Sequence, residues 1–377
     1  MSAWSPQGRW QWLFALVGVL LLGSLLVGFA PAHERLLSYL FAFLFFAGLS
    51  IGSLALVMVH VLSGGAWGEL LRRPLLAAAR TLPLQALLAI PLLAGVSTLY
   101  PWANAEAITH DALLRQQSWY LAPTFFVLRT VVYFVLWITF LALVGAGARN
   151  TERRRALPRI AAVGLIVYAL SSLFAATDWA MSLLPHWHSS TFGMMVATGW
   201  LLVAAALAVL GALTWSSARV VTADLLHDLG NLLLMFVLAW SYLAFMQYLT
   251  IWIADLPAET AWYIPRTLSS WRVLAFCLIV FHFAVPFAVL LSRRANQRAL
   301  WLAGCAALLV LAHLADAFWL VVPTFRPHGF AVHGSDLLAA IGMALLWGSI
   351  YLGQLRATTW AAAPIQPAPV AVESAHG

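Results

Sequence analysis

The chain has no lysine, only two cysteines and few charges of any kind: 9% of its 377 residues are ionised side chains, and all twenty basic ones are arginine. A soluble domain carries about 25% charged residues, so this scarcity excludes an ordinary soluble enzyme. Cys277 and Cys305 each stand alone inside an apolar run, which excludes a disulfide framework and a thiolate metal site. No Cys-x-x-Cys-His segment is present to attach a haem, and no cysteine cluster could hold iron and sulfur. Any redox chemistry must therefore come from a partner or from a group held without a covalent bond. What fills the sequence instead is apolar, with 63% hydrophobic residues and a mean hydropathy of +0.90.

A helix crossing the hydrocarbon layer needs about 20 mostly apolar residues, because every backbone N–H and C=O must be satisfied within the segment. Ten stretches meet that requirement: residues 10–30, 36–62, 82–99, 121–147, 158–184, 191–215, 229–254, 269–291, 299–322 and 336–355. The expected fold class is all-α, a polytopic integral membrane protein with one transmembrane domain over residues 1–356. Pro83 and Pro91 interrupt the third stretch, which predicts a kinked span shielded by protein. The first apolar run is longer than the roughly 7–15 residues of a secretory signal, so it reads as a retained helix. Residues 357–377 read as a disordered Pro/Ala-rich tail.

Fourteen arginines fall at the termini and in the even-numbered connections, against five (Arg35, Arg115, Arg266, Arg272 and Arg326) on the opposite side, while Arg129 lies inside a span. The positive-inside rule then places both termini in the cytoplasm. The net charge of +7 is a topology signal on this reading, and no nucleic-acid partner is expected.

Ionisable groups in mid-membrane are costly, from about 2.5 kcal/mol upward, and so are functional candidates. By depth they fall into two layers. Arg129, Asp178, His313 and Asp316 lie toward the outer face, with Arg272 and Asp336 nearer the interface; His60, His227, Asp228 and, deeper, His282 lie toward the inner face. His313 and Asp316, three residues apart, share a helical face, as a proton relay or a helix-docking pair would. Arg129 requires a carboxylate, and Asp178 and Asp316 both lie at a suitable depth. Asp224 and Asp228 suit the start of the seventh helix, Asp224 as a cap. His186 and His188 read as interfacial polar residues. For a b-type haem, His60 and His282 are the best inner pair and His313 lacks an outer mate, so no metal or haem is expected.

Several segments resemble the NrfD-like membrane subunits of alternative complex III, a bacterial quinol-oxidising assembly, most closely its second such subunit, the ActF type. They are QSWYLAPTFFVLRTVVYFVLW over 117–137, DWAMSLLPHW over 178–187, HDLGNLLLMFVLAWSYLAFMQYLTIWIADLPAETAWY over 227–263 and HFAVPFAVLLSRR over 282–294, with a weaker echo around VHVLSGGAWGELLRR. Leu184 stands where the family has an acidic residue before the proline, here Pro185. The resemblance implies two four-helix bundles with flanking helices, and a subunit that holds no metal or haem, has no activity alone and meets quinone or quinol. It implies partners that carry iron–sulfur clusters and multihaem cytochrome c, a paralogous NrfD-like subunit, and a place in a bacterial inner membrane. Arg129, Asp178, His227, Asp228, Asp255 and His282 fall in the matching motifs; His313 and Asp316 do not.

The expected role is a quinone-site wall, a proton pathway or both, with Asp178, His313 and Asp316 outermost and His227, Asp228 and His282 on the inner side. Asp178→Asn and Asp316→Asn are then expected to impair turnover and spare assembly. The rivals are a secondary transporter with a midplane polar site and a structural anchor for peripheral redox proteins.

Overall fold

A computed structural model describes residues 6–150, 154–215 and 221–357. The predicted tail beyond 357, together with Arg153 and Arg219, lies outside them. The described residues are helical with no strand, and ten helices are long and apolar enough to cross a membrane. They are α1 (Pro6–Val27), α2 (Ala32–Ser63), the crossing Ala66–Ala94 that opens with α3 (Ala66–Ala79), α4 (Pro123–Arg149), α5 (Leu157–Trp179), α6 (Phe192–Trp215), α7 (Ala223–Ala254), α8 (Trp271–Leu291), α9 (Ala299–Val321) and α10 (Gly334–Ala357).

The third crossing begins at Ala66 rather than at residue 82, because α3 already runs back along α2 after the two-glycine turn Gly64–Gly65. Arg72, Arg73 and Arg80 therefore lie on or at the end of this helix instead of in a loop; Arg73 Nε donates to the Leu355 carbonyl at the end of α10. The prolines act as expected. Pro83 and Pro91 each occupy a first-turn position of a short helix, Leu82–Leu88 and Ile90–Ala94, where a missing N–H breaks no helical bond. A last turn, Val96–Leu99, completes the crossing.

Helices α2 to α5 form one four-helix bundle and α6 to α9 a second, while α1 and α10 pair with each other and flank α2 and α3. The two bundles meet where α6 crosses α2. Gly48 and Gly52 are spaced as in a Gly-x-x-x-Gly contact, and a Cβ on either would strike Trp200, its ring at Gly48 and its carbonyl at Gly52. Every residue of the apolar window of α2 is buried, against 17% for α1 and 22% for α8. Apolar on all sides, α2 is thus the axis of the molecule, whereas α1 and α8 lie at its rim.

Candidate functional site

Two buried polar centres stand out, one in each bundle. In the first, Asp178 at the end of α5 accepts from Arg129 Nε at 2.8 Å and Nη2 at 2.9 Å, from Tyr133 Oη at 2.7 Å and from Tyr120 Oη at 3.0 Å. The remaining guanidinium nitrogen, Nη1, donates to the Tyr120 carbonyl at 2.8 Å, and the Tyr120 ring lies 3.9 Å from the guanidinium carbon. Asp178 is fully buried, and its carboxylate is answered by a two-pronged cation and two phenols. Asp178, not Asp316, is therefore the partner of Arg129. Burial, and then the adjacent Asp178 carboxylate, raises the pKa of the Tyr120 phenol, so it remains a donor.

Beside this network, between the 117–121 segment and the turn after α5, lies a cavity of about 240 Å³. Trp119, Tyr120, Met181, Pro185, Trp187 and His188 form part of its wall. His188 Nε2 lies 3.0 Å from the Gln117 amide nitrogen, and His186 Nε2 lies 2.7 Å from Asp111 Oδ2, both at the protein surface. Asp111 caps the short helix Ala112–Gln117 through the N–H groups of Leu113 and Leu114. These polar contacts explain the paired histidines.

In the second bundle, His282 of α8 meets His313 and Asp316 of α9. Their ring centroids are 5.4 Å apart, His313 Nδ1 is 3.6 Å from Asp316 Oδ2, and one donor atom from each of the three residues lies within 4.8 Å of the others. His282 thus belongs with His313 and Asp316, not with His60, His227 and Asp228, and it is the mate that His313 was expected to lack. A π-turn over Ile279–Ala284 presents it. Pro286 has no N–H for the carbonyl of residue 282, and the wider turn accommodates the lost bond. The Trp240 ring lies 4.1 Å from the His282 ring, centroid to centroid, and Gly199 leaves room for the His313 ring. Neither nitrogen of His282 has a hydrogen-bond partner, nor does His313 Nδ1.

The other expected site residues are scattered. His60 is buried against Glu69, 3.3 Å away, and its ring lies over Gly68, which removes it as a mate for His282. His227 is half-buried and 3.4 Å from the Asn231 amide nitrogen, and Asp228 is exposed. Thr222, not Asp224, caps α7 by accepting from the Leu225 N–H. Asp255 is exposed at the other end of α7, with φ 46°. Asp336 accepts from Arg326 and Ser38, tying α10 to α2.

Sequence reasoning missed Tyr120, Tyr133 and His188 as site residues, and also missed an internal correspondence. Asp178 and Asp316 each stand seven residues before a proline, Pro185 and Pro323, on the fourth helix of their bundle. The residues that meet them, Arg129 and His282, come from the third helix of the same bundle. The shared acid-to-proline spacing is the signal in the sequence that links the two acids. The protein-family models and the curated proteins searched gave no match to this chain.

Proposed function

We propose that the chain is a non-redox membrane subunit of a quinol-oxidising respiratory complex of the alternative complex III kind, and that it walls a quinol site at the end of the first bundle. The observation that carries this reading is the cavity beside Asp178. Its aromatic and apolar walls suit a quinol ring, and His188 and Tyr120 supply polar atoms at its edge. The ion pair behind it fixes the wall, since two nitrogens of Arg129 and the hydroxyls of Tyr133 and Tyr120 hold the carboxylate in place.

When the quinol is oxidised, two electrons leave to a redox centre of a partner subunit and two protons leave the hydroxyl groups. His188 is exposed and lines the cavity, so its imidazole stands where it can take a hydroxyl proton and return it to water. By the positive-inside rule the cavity faces away from the cytoplasm, so the protons are released on the outer side.

The test uses the assembled complex. His188→Gln keeps a hydrogen-bonding side chain but no base, and is expected to lower quinol turnover at least tenfold while the complex still co-purifies with its iron–sulfur and multihaem subunits. Unchanged turnover in that variant rejects the base, and substrate uptake into liposomes by the chain alone rejects the subunit reading in favour of a transporter.

A further inference from the structure

We propose that His282, His313 and Asp316 bind a divalent transition-metal ion, zinc being the best fit, as a brace between α8 and α9. The proposal is independent of the quinol reading. Three observations carry it. Donor atoms of the three residues already lie within 4.8 Å of one another inside the protein, and His282 is fully buried with both ring nitrogens unpartnered. Imidazoles in such a place cannot turn to water, so a ligand that uses their lone pairs removes a standing cost.

The second observation is the comparison between the bundles. In the first, the buried acid on the fourth helix is met by the Arg129 guanidinium from the third. In the second, the corresponding acid has His313 at 3.6 Å as its ion-pair neighbour, and the third helix brings another imidazole, His282. Two imidazole rings around the acid leave the place that the guanidinium fills in the first bundle unfilled, and a metal ion supplies that charge. With a water as fourth ligand, which a bound metal ion makes acidic, the net charge of the site can fall to zero.

The third is that the surroundings seat the rings. The π-turn aims His282, Trp240 packs on its ring, and Gly199 admits His313 where a Cβ would strike Cε1. The donor set chooses the metal class. Two imidazole nitrogens and one carboxylate oxygen suit zinc and its neighbours, whereas magnesium and calcium favour sites of oxygen alone. No spacing motif announced this site, because its ligands come from two helices and are up to 34 residues apart in the chain.

The experiment is zinc binding by the purified full chain, depleted with chelator and then given zinc alone. One zinc per chain is expected, with an X-ray absorption spectrum showing two imidazole nitrogens at about 2.0–2.1 Å. His282→Gln, His313→Gln and Asp316→Asn are each expected to weaken binding at least a hundredfold, while His186→Gln, at the surface pair with Asp111, leaves it unchanged. Equal zinc content in the wild-type and the three ligand variants overturns the proposal. Should those variants fail to fold, the wild-type spectrum decides: zinc without two imidazole ligands, or no zinc retained by the folded chain, also overturns it.

Discussion

At the scale of single residues, the first bundle's acid is buried and fully hydrogen-bonded. Asp178 takes two bonds from Arg129 and one from each of two tyrosines. Breaking one partner of a buried pair costs about 3–5 kcal/mol, because the other charge is left alone. Asp178→Asn is therefore expected to lower the melting temperature and the yield of assembled protein, with the double variant Asp178→Asn/Arg129→Gln less damaged than the sum of the singles. Equal stability of Asp178→Asn and wild type in a thermal melt would refute this. At the surface, the N–H of Leu114 holds the Asp111 carboxylate below its usual pKa, helped by the N–H of Leu113 and by His186, against an opposing effect of desolvation. A depressed acid contributes stability above its unfolded pKa and loses it as pH falls through the folded one. The 112–117 turn should then resist protease down to the ordinary carboxylate range and open only below it; opening at higher pH would count against the cap. The intramembrane acids and histidines were legible in the sequence because the bilayer makes each conspicuous. Their pairing was not, since Arg129 and Asp178 lie 49 positions apart and depth alone allowed Asp316 as well.

At the scale of elements, helix existence followed from apolar run length, and the departures have local causes. The third crossing begins sixteen residues before the predicted start of residue 82, because arginines that end an apolar run do not end a helix. Arg73 stays helical while its head group reaches the last turn of α10. The contact between α2 and α6 rests on small residues. Gly52→Val would drive a side chain into the Trp200 carbonyl, a backbone atom that cannot swing aside, and is expected to destabilise by about 1–3 kcal/mol. Gly304→Ala, which meets only open space, serves as the control and should be neutral or better in the same melt. A similar local reason lies behind Arg266 on the short helix Ile264–Leu268. Fully buried, with its pKa pressed down to about 9 by desolvation, it donates to the carbonyls of Trp319 and Leu320 in the last turn of α9, and the Trp262 ring lies 3.7 Å away. Those last-turn carbonyls have no helical partner, so the arginine serves as their cap.

At the scale of the whole molecule, two bundles of four crossings leave the starts of the first and second bundles on the same side of the membrane. The arginine count predicts which side. A reporter that fluoresces only in the cytoplasm should be bright when fused after residue 357 and dark when placed in the 100–122 loop, and the reverse pattern would invert the assigned orientation. The ten crossings and the all-α class were determined by the sequence alone, because a bilayer obliges the chain to satisfy its own backbone and so links hydropathy to structure segment by segment. Only the tertiary structure decided that α2 is the axis, that Asp178 is saturated and that His282 lies beside His313. Those outcomes depend on which helix faces which, and hydropathy, read along one segment at a time, carries no record of the neighbour.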